Sequence, residues 1–99
     1  MIEFPADTEM CDKNTIVLKY AIRDRELRVE LPHNAQVAHV EAQFEVPTLW
    51  VEQPTVPSYT TTRVFSIFPT GVVVPPGSRH VGTVLLGHGS LVYHIFEVL

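Results

Sequence analysis

Five histidines, at positions 33, 39, 80, 88 and 94, are the residues of this chain best suited to chemistry. As metal ligands they would need to converge in threes or fours. No pair has a His-x-x-x-His spacing, and no cysteine pair accompanies them. His39 and Glu41 share one face of an alternating segment and would join His94 only if their strands were neighbours. The reading is therefore of a chain without a metal site. His94 is the most informative of the five. It alternates with Val92, Phe96 and Val98, which points it to an apolar face. The favoured reading is a core histidine satisfied by a backbone carbonyl, because buried polar groups are paired. The alternative is a polar anchor in an otherwise apolar pocket.

Nucleophilic chemistry finds no support. Ser58, Ser66, Ser78 and Ser90 lie in no Gly-x-Ser-x-Gly elbow. Cys11 stands among acidic residues, which disfavour a thiolate. Gly87-His88-Gly89-Ser90 invites comparison with phosphate loops, but it lacks a third glycine, a following lysine and a helix. Glycines there suit the positive φ of a tight hairpin turn. The eleven carboxylates form no recognisable catalytic pair. The expectation is a protein without catalytic residues or cofactor.

Binding is better served. Trp50 and Tyr59 flank a proline-bearing loop at 53–58, and Arg63 follows closely. Aromatic residues with arginine are the composition of interaction hot spots and of base-stacking pockets. Trp50, Tyr59, Arg63, Tyr93 and His94 are the candidate ligand- or partner-binding residues, although in a domain this small a tryptophan is more often core.

The elements that must position these residues are strands. Residues 16–22 alternate apolar with other types, and a charged turn at 23–26 leads into a second alternation at 27–31. This spacing predicts two strands joined as a hairpin. Residues 37–44 alternate again, with Ala38, Val40, Ala42 and Phe44 on one face. Alanine, glutamate and glutamine make a helix conceivable there, but a half-buried strand is favoured. Pro47 separates it from a short strand at 48–52, and residues 59–68 form a long strand rich in Thr, Val, Phe and Ile. Residues 72–74 are a short extended piece between two proline- or glycine-bearing turns. Two runs, 80–86 and 90–98, make a closing hairpin around Gly87-His88-Gly89. The predicted architecture is all-β: an antiparallel β-sandwich or small open barrel of about seven strands. Its core is expected from the apolar faces of 16–22, 27–31, 64–68, 81–85 and 92–98. Residues 14–99 form the single domain, and 1–13 an acidic N-terminal arm.

Composition narrows the class. Apolar residues make up 45% of the 99 and charged residues 18%, against about 25% charged in an average domain. So little charge leaves apolar surface for another subunit or partner, and a homo-oligomer is expected. The net charge is −4, all of it from Glu3, Asp7, Glu9 and Asp12; the remainder balances. There is no basic footprint for duplex nucleic acid. A single cysteine excludes an internal disulfide and suits a reducing compartment. No signal-peptide pattern opens the chain, and no run approaches the roughly 20 apolar residues of a membrane span. A cytoplasmic location without membrane partners is the expectation.

Several pieces together carry a resemblance. They are Lys19-Tyr20, Leu31-Pro32 with Ala35, His39-Val40 with Gln43, Leu49-Trp50-Val51, Phe65 with Thr70-Gly71, and Val81-Gly82-Thr83. The most specific is the closing run Gly89-Ser90-Leu91-Val92-Tyr93-His94-Ile95-Phe96-Glu97. In this order they resemble a family of small uncharacterised proteins of tailed bacteriophages and prophages, over roughly residues 15–97. The resemblance implies a phage accessory protein working in the cytoplasm of a bacterial host, and it implies no chemistry. With no catalytic motif, the expected function is non-enzymatic binding that counters host defence. The partner would be a host defence protein or a small signalling nucleotide to be sequestered. The alternative is a structural virion protein, decorating the capsid or associated with the tail.

Overall fold

The computed structural model describes residues 14–56 and 59–99. The acidic arm at 1–13, Cys11 within it, and the Pro57-Ser58 part of the proline loop lie outside the described residues. Seven strands are present: β1 (Thr15–Ala21), β2 (Glu26–Pro32), β3 (Gln36–Gln43), β4 (Val46–Pro54), β5 (Thr60–Pro69), β6 (Arg79–Leu86) and β7 (Leu91–Val98). All pairings are antiparallel. They build a three-stranded sheet in the order β1-β4-β3 and a four-stranded sheet in the order β2-β5-β7-β6. No described segment is a helix, so none is a helix long and apolar enough to cross a membrane. The all-β sandwich expected from the alternation is what the chain forms.

The predicted β1–β2 hairpin does not form. β1 pairs with β4 and β2 with β5, so the first two strands belong to different sheets. The charged connector spans the two layers. Ile22 donates its backbone N–H to the Pro47 carbonyl of one sheet (2.8 Å), and the Arg25 carbonyl accepts from Ile67 of the other (3.1 Å). Ile22 itself is buried in the core. Four charged residues favour solvent but do not supply the glycine or asparagine that a tight two-residue hairpin needs. The extended piece at 72–74 is irregular and joins no sheet.

The core comprises Ile22, Leu31, Ala35, Leu49, Val51, Phe65, Val84 and Ile95. The sheets meet chiefly where β3 runs along β6. Both strands carry a register irregularity there, at Val37/His39 and at His80/Gly82. The first is why the predicted face of Ala38, Val40, Ala42 and Phe44 does not hold. Ala38 is the extra residue of a bulge, and a bulge shifts the alternation by one. Val37, Val40 and Ala42 pack on the core, whereas Ala38 is exposed. A similar correction applies to β7. Its core face is Tyr93, Ile95 and Glu97; Val92, His94, Phe96 and Val98 lie half-buried on the outer face. Both faces of this strand are rich in apolar residues, so its alternation alone does not choose between them. On β1, Tyr20 packs on the core, but Ile16 and Leu18 remain 42% and 41% exposed.

Phe44 is the apex residue of the β3–β4 hairpin rather than a strand residue. Phe44 and Glu45 both have positive φ, 53° and 64°, the pattern of a primed two-residue turn. The Glu45 side chain accepts the Gly87 backbone N–H at 2.6 Å and ties this turn to the β6–β7 turn. That second turn, with Gly87, His88 and Gly89 all at positive φ, forms where the glycines predict it.

Two stability outcomes follow. A Cβ built at Gly82 would stand 2.8 Å from Val40 Cβ, so Gly82→Ala forces the sheets apart; a loss of about 1–3 kcal/mol in urea unfolding is expected. Phe44 is 90% exposed and held left-handed, a conformation that costs a non-glycine residue about 1–2 kcal/mol and that asparagine tolerates. Phe44→Asn should therefore raise the unfolding midpoint in the same assay.

Candidate functional site

On the core face of the four-stranded sheet, β5, β7 and β6 bring Arg63, Glu97 and Arg79 together. The β7 register places Glu97 opposite Phe65 on one side and Arg79 on the other, with Arg63 two residues before Phe65 on the same face. Arg63 grips Glu97 with two N–H donors, Nε to Oε2 at 2.7 Å and Nη2 to Oε1 at 2.9 Å. A third donor, Nη1, reaches the Ala35 carbonyl at 2.7 Å. Arg79 Nη2 adds a bond to Glu97 Oε1 at 2.7 Å. The Arg63 guanidinium also lies 5.6 Å from the centre of the Phe65 ring, within reach of a cation–π contact.

Burial divides the three. Glu97 and Arg63 side chains are 8% and 13% exposed, whereas that of Arg79 is 67% exposed. A planar bidentate pair of this kind is among the stronger charge-assisted contacts. Hydrogen bonding from Arg63 holds the Glu97 carboxyl below its ordinary pKa. Burial opposes this, and the Arg63 charge and Arg79 reinforce it.

The cluster forms the floor of an open cleft of about 780 Å³. His33, Asn34 and Gln36, from the β2–β3 connection and the start of β3, make the facing wall. His33 stacks on Tyr59 with ring centres 4.3 Å apart and planes within 4°. The His33 backbone N–H also donates to the Tyr59 carbonyl at 3.2 Å. The lining thus brings the guanidinium groups of Arg63 and Arg79 together with the Glu97 carboxylate, the Asn34 and Gln36 amides, Leu99 and the stacked His33 ring.

The five sequence-derived candidates do not assemble into one site. Arg63 lies in the cleft, and Tyr59 supports its rim through His33. Trp50 is half-buried on the outer face of the three-stranded sheet, 5.3 Å from the His39 ring. Tyr93 packs on the core. His94 sits on the outer face of the other sheet. It is satisfied by two hydroxyls rather than a backbone carbonyl: Thr70 at 2.9 Å and Thr83 at 3.1 Å. His39 and Glu41 are hydrogen-bonded on the three-stranded sheet, which holds them apart from His94. Among the described residues, no three His, Cys, Asp or Glu side chains group as a metal site.

Glu97, Arg79 and His33 were the unrecognised members. A signal for Glu97 exists: a carboxylate two residues beyond Ile95 falls on the core face, and a buried carboxylate requires a cation. Acid titration checks the pair. Because the folded pKa of Glu97 is depressed, its contribution to stability is fully present above the unfolded value of about 4.3. It is lost as pH falls through the lower folded value. In urea unfolding, Glu97→Gln should start less stable than the wild type at neutral pH and lose less stability below about pH 4.

No curated protein and no solved structure matches the chain significantly. A family model does match, over residues 13–99, nearly the whole of the chain including all seven strands. The chain belongs to the family described as Domain of unknown function (DUF7352).

Proposed function

We propose that this protein is a non-enzymatic binding protein whose cleft takes a small anionic ligand with a planar group, of the nucleotide class. The observation that carries the reading is the exposed Arg79 guanidinium in the cleft, beside a buried Arg63–Glu97 pair. Arg79 spends one bond on Glu97 with most of its side chain exposed. Arg63 is fixed by three hydrogen bonds to two partners, Glu97 and the Ala35 carbonyl, and cannot follow a ligand, so it supplies field and shape. Arg79 supplies the mobile contact. The His33 ring, stacked on Tyr59, lies in the cleft wall beside these charges.

The phage resemblance supports a setting for such binding: sequestration of a signalling nucleotide in the host cytoplasm, which would blunt a defence response. Binding to a host defence protein is the other form of the same role. The structural virion reading draws on one observation, the half-buried apolar outer face of β7 with Val92, Phe96 and Val98. Recovery of the protein at many copies in purified virions would favour that reading instead.

Isothermal titration with a panel of mononucleotides and cyclic dinucleotides tests the cleft. Binding is expected for at least one of them, weakened about tenfold or more by Arg79→Ala, as befits one charged hydrogen bond. The unfolding midpoint should change little, since Arg79 is exposed. Absence of binding across the panel, or binding unaffected by Arg79→Ala, would overturn the proposal.

A further inference from the structure

The Glu97 carboxylate accepts three hydrogen bonds from the described residues, and the structure does not depend on them equally. Arg63 fills Oε2 from Nε at 2.7 Å and Oε1 from Nη2 at 2.9 Å. Arg79 adds a single bond from Nη2 to the same Oε1 at 2.7 Å. A carboxylate oxygen has two lone pairs, so Oε1 keeps a donor when Arg79 leaves. The Arg63–Glu97 pair is buried, whereas the Arg79 side chain is 67% exposed and lines the cleft. Breaking the Arg63 bonds would strand a buried charge, which is costly. Breaking the Arg79 bond strands nothing, because Arg63 still holds the carboxylate and solvent reaches the released guanidinium. The electrostatics of Glu97 agree with this ranking. The Arg63 hydrogen bond does most to hold its carboxyl below the ordinary pKa, and Arg79 does less. Of the three bonds, the one from Arg79 is exchangeable.

We propose that Glu97 sets the affinity of the cleft by holding Arg79 until an anionic oxygen of the ligand takes its place. This rests on the ligand reading above and states what that ligand must carry. Arg79 gives up a charge-assisted bond to a carboxylate, and only a bond of the same kind replaces it without loss. A neutral carbonyl or hydroxyl oxygen offers about half that strength. The ligand therefore engages Arg79 through a phosphoryl or similar oxyanion group, and its uncharged remainder does not open the contact. Glu97 acts as a positioning residue, through Arg79 rather than by touching the ligand. Arg63 stays on Glu97 and the Ala35 carbonyl throughout, so the floor of the cleft keeps its shape while Arg79 changes partner.

Isothermal titration of the full chain at neutral pH compares the wild type, Glu97→Gln, Arg79→Ala and the double variant. The probes are the same mononucleotides and cyclic dinucleotides, with adenosine and guanosine beside them. Glu97→Gln releases Arg79 and should tighten nucleotide binding about two- to fivefold, the range set by an exposed ion pair. In the Arg79→Ala background the gain should be smaller, since only the direct repulsion between Glu97 and the anion is removed there. Adenosine and guanosine should bind at least about tenfold more weakly than their nucleotides, as the loss of one charged hydrogen bond gives. Circular dichroism checks the fold of each variant. The wild type gives a second reading that needs no substitution. In nitrogen-15 spectra the Arg79 Nε–H signal should move as nucleotide is added, while that of Arg63 stays in place. Weaker binding by Glu97→Gln, an equal gain in both backgrounds, or an Arg63 signal that moves with that of Arg79 would overturn the inference and leave the ligand reading standing. Nucleosides bound as tightly as nucleotides, or no binding by any of these proteins, would overturn both.

Discussion

The interaction on which the rest depends is the grip of Arg63 on Glu97. A carboxylate on the core face of a central strand is costly unless it is paired and fully hydrogen-bonded. Arg63 meets that demand from the neighbouring strand and with its third donor also holds the Ala35 carbonyl. Ala35 is where the chain leaves one sheet for the other, and it is itself buried. One guanidinium therefore fixes the spacing of β5 and β7 and the path of the connection that forms the opposite wall of the cleft. The same pair that makes the interior tolerable also sets the shape of the cleft.

The cleft gains precision from this arrangement. Its charged floor rises from three adjacent strands rather than from loops, so backbone pairing on both sides of Glu97 limits how far the groups can move. The wall is less constrained, being a short connection held by the Ala35 N–H to the Pro32 carbonyl and by the His33–Tyr59 contacts. The Arg63–Glu97 pair is fixed, and the exposed Arg79 beside it is the group that the proposed ligand would engage.

The sequence made the strands visible but not all their neighbours. Alternation, residue type and turn signals locate all seven strands within a few residues, and the Gly-His-Gly turn announces the β6–β7 hairpin. Pairing between β1 and β4, or β2 and β5, leaves no local trace, because it is decided by which apolar faces can share one core. Parity failed at two places for definite reasons. Ala38 is an inserted bulge residue, and β7 is apolar on both faces, so only the carboxylate at Glu97 marks which side faces Arg63. Arg63 was legible as a binding residue by type. Arg79 and His33 were not, since their nearness to it is created by strand order and a connection between sheets.

The way the strands alternate between layers has a kinetic side. Only β3–β4 and β6–β7 join neighbours in sequence through tight turns. The remaining pairings span long stretches of chain, and pairing of that kind pays loop-closure entropy before it gains contacts. The two hairpins are the units able to form early, and the Glu45–Gly87 bond links their turns. β1 and β2 are the outermost strands of their sheets and can dock only on partners already in place. The first two strands find their partners, β4 and β5, only across long stretches of intervening chain.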